Sequence, residues 1–80
     1  MSILFQLNLV FQEVFDDPQL VVQADTSPTD LRDWDSVAQV KLVLAIEEAF
    51  AIRLTNDELS SIHTVRDFMS AIARQKGSIE

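Results

Sequence analysis

Residues 33–68 read DWDSVAQVKLVLAIEEAFAIRLTNDELSSIHTVRDF, a stretch with three helix starts and one long apolar run. Asp35 stands where a carboxylate accepts hydrogen bonds from the free amides of a following turn, the position of an N-cap. Val37, Val40, Val43, Leu44, Ile46 and Phe50 then recur at helical spacing to about Ala51. These apolar positions exceed one narrow stripe, so the helix is expected to be central to the core or to carry an exposed apolar flank. Thr55-Asn56-Asp57-Glu58 fits a capping box that opens a short helical turn through Ile62. Thr64 with Asp67 marks a further start. Val65, Phe68, Met69 and Ile72 give the last helix its buried face, and Arg74, Lys76 and Gly77 close it.

Upstream, Leu4, Leu7, Phe11, Val14 and Phe15 recur with a helical period between Gln6, Asn8, Gln12 and Glu13. The turn chemistry of Asp16-Asp17-Pro18 stops that first helix. Residues 17–35 hold both prolines and the polar run DTSPTDLRDWD. Leu20, Val22, Leu31 and Trp34 are apolar enough to pin this stretch onto a bundle, so it is expected to be a packed loop. No internal repeat and no sustained strand-like alternation interrupts the pattern. The expected fold is all-α: a four-helix bundle over one domain, residues 1–80, with a long first connection and a short third helix. Phe50, Ile62, Phe68 and Ile72 are its expected core.

With 80 residues and no cysteine, the chain has neither a disulfide staple nor a thiolate metal site. Any thiol chemistry must use a thiol that it does not encode. Its net charge of −7 argues against nucleic acid and anionic membranes and favours basic protein surfaces. Residues 1–35 carry −6 of this charge, residues 36–50 carry −1, and residues 51–80 balance to zero. The acidity builds up on the approach to Ser36. MSILFQLNLVF is uncharged but lacks a basic flank and a small-residue cleavage site, and no stretch reaches the length of a membrane span. The chain is therefore expected to be cytoplasmic.

Enzyme motifs are missing. Ser36 has no G-x-S-x-G elbow around it, and the only histidine, His63, falls between two expected helices. No H-E-x-x-H or paired-ligand spacing suggests a metal site, and a single glycine excludes a Gly-rich phosphate loop. What remains is a serine in the first turn of a helix after a long acidic loop. An anionic group attached there would meet the positive end of the helix dipole, so the position suits a covalent phosphodiester. Asp-Ser is also a common helix start, and on these residues alone capping is the stronger explanation.

Residues 33–68 resemble the carrier proteins of fatty-acid, polyketide and related thiotemplate pathways. The elements of the resemblance are Asp35-Ser36-Val37, the run from Val40 to Ile46, Glu47-Glu48-Ala49-Phe50, Asp57-Glu58-Leu59 and Thr64-Val65. The first helix and the loop fit by length and pattern only. The resemblance implies an acyl carrier protein fold, with no catalytic activity of its own. It implies Ser36 as the attachment site of 4′-phosphopantetheine, transferred from coenzyme A by a phosphopantetheinyl transferase. Asp35 would assist by helping to hold the transferase's Mg²⁺. The helix after Ser36 would face partner enzymes with basic docking surfaces, through Glu47 and Glu48 and an apolar flank of Val37, Val40 and Leu44. A solvated face for the two acids, and core packing for the three apolar residues, are the alternatives; Val40 is expected to share both roles.

Val37 stands where the family more often has leucine. Ala38, Lys41, Ala49 and Ala51 occupy positions at which bacterial fatty-acid carriers often have acids. The resemblance implies a monomeric carrier of acyl thioesters for a fatty-acid, polyketide or related pathway. These departures point to a specialised stand-alone carrier serving polyketide-like, aminoacyl or lipid-modifying enzymes, with the cargo left open. An aminoacyl or peptidyl carrier, or an unmodified interaction module, are the rivals. The roles of Trp34 and His63 are not deducible from the sequence.

Overall fold

Ser2 begins the first helix by accepting the Phe5 N–H on its hydroxyl at 3.0 Å. Helix α1, Ile3–Val14, turns Ile3, Leu7, Val10 and Phe11 inward. In the computed structural model, which describes residues 2–31 and 33–76, three more helices follow. These are α2 (Ser36–Phe50), α3 (Asn56–Ser60) and α4 (Val65–Lys76), and no strand occurs among the described residues. The all-α architecture, the long first connection and the short α3 agree with the reading of the sequence. Gly77, expected to close the last helix, lies outside the described residues.

The core is one cluster built from every layer of the bundle. Leu7, Phe11, Leu42, Ile46, Val65, Phe68 and Ile72 are fully buried, and α1 packs against both α2 and α4. Phe50 and Ile62 join them, as expected. On α2 the buried seam is Ala38, Leu42, Ile46 and Phe50, a four-residue step along one helix face. Val43 packs partly against this core, and the apolar flank is a separate face.

The connection from α1 to α2 is packed, as expected, but apolar residues are only half of the reason. Val22 and Trp34 are buried, with Leu20 and Leu31 against the same cluster. Two polar side chains of α1 hold the loop's backbone as well. Asn8 accepts the Val22 N–H at 2.8 Å and donates to the Val22 carbonyl at 3.2 Å. Gln12 donates to the Leu20 carbonyl at 2.9 Å. The loop in turn caps α4, because the Val65 and Arg66 amides donate to the carbonyls of Thr26 and Ala24.

Past α2 the chain turns at Ala51, which sits in the left-handed region with φ 56°. Ile52 and Leu54 then drop into the core. Glu47 holds this turn by accepting the Leu54 N–H at 2.8 Å, and the Gln75 side chain accepts the Arg53 N–H while donating to the Arg53 carbonyl. The capping box is present: the Glu58 N–H donates to Thr55 Oγ1 at 3.1 Å, and the Thr55 N–H donates to Glu58 Oε1 at 3.0 Å. Helix α3 ends at Ser60, two residues short of the Ile62 expected, because Ser61 already serves as its C-cap.

Candidate functional site

Asp35 opens α2 as an N-cap: its Oδ1 accepts the Ala38 N–H at 2.9 Å, and its carbonyl accepts the Gln39 N–H. Ser36 is thereby fixed as the first residue of the helix, and it is exposed. Trp34 supplies the anchor behind it. Its ring is buried, edge-on to Phe11 at 5.3 Å and stacked with Phe68 at 6.4 Å. Such aromatic pairs add about 0.5–1.5 kcal/mol beyond burial alone. The residue just ahead of the Asp-Ser pair is therefore part of the core, which fixes where α2 begins.

A cleft of about 470 Å³ opens beside Ser36. Trp34, Asp35 and Gln39 line one side, and Leu59, Ile62 and His63 line the other. His63, read from sequence only as a linker residue, thus comes to the same cleft as Ser36. Its backbone is fixed there: Asp67 Oδ2 accepts the His63 N–H at 2.8 Å and the Thr64 N–H at 3.1 Å. These backbone bonds hold the Asp67 carboxyl below its ordinary value. The amide of Thr55 does the same for Glu58, which also pairs with Arg74 at 3.4 Å.

The flank of α2 separates cleanly from its core face. Val37, Val40 and Leu44 are 62%, 59% and 62% exposed. Val40, for which a shared role was expected, stands out in solvent with the other two. Glu48 is exposed, whereas Glu47 is half-buried and already engaged by the Leu54 amide. Of the four positions noted for lacking an acid, Ala38, Lys41, Ala49 and Ala51, two are not free surface of the helix. Ala38 is buried, Ala51 lies past the helix end, and only Lys41 and Ala49 are exposed residues of α2 itself.

An exposed hydroxyl at a helix start, backed by a buried tryptophan and opening on a cleft, can carry a large covalent group without disturbing the core. The first turn of α2 favours an anionic linkage there, so the residues present fit a phosphodiester-linked arm. These features define a carrier class of helical bundle. The family model described as the phosphopantetheine attachment site matches residues 7–72. The acyl carrier protein of Acidothermus cellulolyticus is 39% identical over 72 residues, covering 90% of this chain and 86% of that protein. The acyl carrier protein of Thermosynechococcus vestitus is 31% identical over 64 residues, or 80% of this chain and 78% of that one. Among solved structures, the holo acyl carrier protein of Geobacter metallireducens superposes with a TM-score of 0.88 at 28% identity, covering 96% of this chain and 88% of that chain. The chain belongs to the acyl carrier protein family. Its cofactor is covalently attached 4′-phosphopantetheine, and it is a carrier for partner enzymes rather than an enzyme itself.

Sequence reasoning missed Gln39 at this site. Its position one helical turn after Ser36, on the same face, is the signal that could have found it. No helix among the described residues is long and apolar enough to cross a membrane.

Proposed function

We propose that Ser36 is the attachment point of the phosphopantetheine arm and that acyl intermediates are held there as thioesters. The observation that carries this reading is the exposed position of Ser36 at the first residue of α2, beside a cleft. Ser36 needs no base of its own, because a separate transferase supplies the catalysis. Asp35, with Oδ1 committed to its cap, has a second carboxylate oxygen with which to help hold the transferase's Mg²⁺. Val37, Val40 and Leu44 form the docking flank. Glu48 adds charge toward basic partner enzymes, with Glu47 contributing what its internal bond leaves free. Lys41 and Ala49 on the same helix support a specialised carrier for polyketide-like, aminoacyl or lipid-modifying enzymes. It acts as a cytoplasmic monomer over residues 1–80.

Intact mass tests the attachment. Apo protein incubated with coenzyme A, Mg²⁺ and a broad-specificity transferase is expected to gain one phosphopantetheine, and Ser36→Ala to gain none. An adduct persisting on Ser36→Ala places the arm elsewhere. No adduct with several transferases favours an unmodified interaction module. Loading and elongation by fatty-acid synthase enzymes as efficient as for a housekeeping carrier would remove the specialised reading.

A further inference from the structure

Gln39 lies at the junction of two clefts. It lines the one that opens at Ser36, and it lines a second groove of about 200 Å³ with Val40, Val43 and Leu59. Leu59 is common to both, so the two run together between α2 and α3. Gln39 is the one polar residue of the four around the second groove.

The orientation of its side-chain amide is fixed by its neighbour. Trp34 Nε1–H donates to Gln39 Oε1 at 2.7 Å. An indole nitrogen can only donate, so the carbonyl end of the Gln39 amide must face Trp34. Trp34 is itself immobilised between Phe11 and Phe68. The opposite end of the amide, an NH₂ with two donors, is therefore turned away from the indole. No bond from it is present among the described residues. A half-buried donor pair held rigidly at a cleft junction is matched by a ligand bearing carbonyl oxygens.

We propose that Gln39 binds the phosphopantetheine arm, its side-chain NH₂ donating to an amide carbonyl of the pantetheine portion, with Trp34 as the residue that aims it. This rests on the reading of Ser36 as the attachment point. The arm leaves Ser36 one turn below Gln39 on the same helix face and passes its amide on the way to the apolar groove. The polar stretch of the arm then meets donors, and whatever follows it meets Val40, Val43 and Leu59.

The test uses holo protein made with ¹³C-labelled pantetheine and ¹⁵N-labelled chain, its adduct mapped by peptide mass to Ser36. In spectra of apo and holo forms, the Gln39 side-chain NH₂ is expected to shift several-fold more than those of Gln12, Gln19, Gln23 and Gln75. It should also show cross-relaxation to pantetheine protons. Gln39→Glu keeps an acceptor for Trp34 but loses the donors, whereas Gln39→Leu loses both. Both variants should increase the arm's mobility, lowering the bound-to-free ratio about two- to tenfold, the span expected of one net hydrogen bond. The Trp34 indole N–H resonance should keep its wild-type position only in Gln39→Glu. An adduct on Ser36 with an unperturbed Gln39 amide, or with equal arm mobility in all three proteins, overturns the proposal while leaving the attachment intact. An adduct on another residue overturns both.

Discussion

Asp35 caps α2, and the further duty proposed for it in the transfer reaction can be separated from the cap by two substitutions. Its Oδ1 caps α2 at Ala38, a contribution of about 0.5–2 kcal/mol for such residues. Asp35→Ala is expected to remove about 1 kcal/mol, lowering the melting temperature by roughly 4–8 °C. Asparagine caps about as well as aspartate, so Asp35→Asn should melt close to wild type. It lacks the carboxylate charge, however, and should be modified more slowly by the transferase than the intact protein. Equal modification rates for Asp35→Asn and wild type would leave Asp35 with only its structural duty. The cap was legible in the sequence because its partner lies three residues away. Trp34 and Gln39 were not legible as a pair, and neither was His63 as a wall of the same cleft. The first depends on an indole ring whose place is set by Phe11 and Phe68, the second on how α3 returns the chain to α2.

At the scale of elements, α3 and α4 both start on carboxylates that accept backbone amides. Glu58 and Asp67 are held below their ordinary values of 4.5 and 3.8, first by the Thr55 amide and by the His63 amide respectively. A carboxyl with a lowered folded-state value binds protons less readily folded than unfolded. Its stabilisation is present above the ordinary value and is lost as the pH falls through and below it. Acidification below about pH 4.5 should therefore lower the melting temperature, and it should do so less steeply in a Glu58→Gln/Asp67→Asn double variant. Identical slopes would assign acid sensitivity to other groups. The end of α2 offers the opposite change, since Ala51 occupies a left-handed position at which glycine carries no steric penalty. Ala51→Gly is expected to stabilise by about 0.5–1 kcal/mol, read as a higher urea midpoint at unchanged slope. Elements were more legible than their faces. Val37, Val40 and Leu44 are as apolar as Leu42 and Ile46, so helical spacing alone could not say which set turned inward. The loop was expected to be packed, but Asn8 and Gln12 looked like ordinary solvent-facing positions of α1. Their partners at Val22 and Leu20 lie fourteen and eight residues away, beyond any local pattern.

Across the whole molecule, charge and core are distributed in opposite senses. The aromatic core ties α1, the loop and α4 together at Trp34, while the sequence through residue 35 carries −6 of the net −7. Arg53, Arg66, Arg74 and Lys76 all lie in the later, balanced part of the chain, where Arg74 meets Glu58. The acids of α1's end and the loop therefore repel one another with few cations of the early chain to offset them, a cost that the compact state bears more than the unfolded one. Sodium chloride or Mg²⁺ should raise the melting temperature. Most of the gain from sodium chloride is expected by roughly 0.1–0.2 M, where the screening length has fallen to about 8–10 Å. Asp16 provides the local counterpart. It is exposed with φ 53°, its own amide bonded to the Glu13 carbonyl, and asparagine tolerates that backbone region well. Asp16→Asn removes one negative charge without disturbing the turn, so it should raise the melting temperature at low salt and converge on wild type as salt is added. A gain that persisted undiminished in high salt would trace it to backbone preference, and a flat salt titration of the wild type would exclude self-repulsion as a term in its stability.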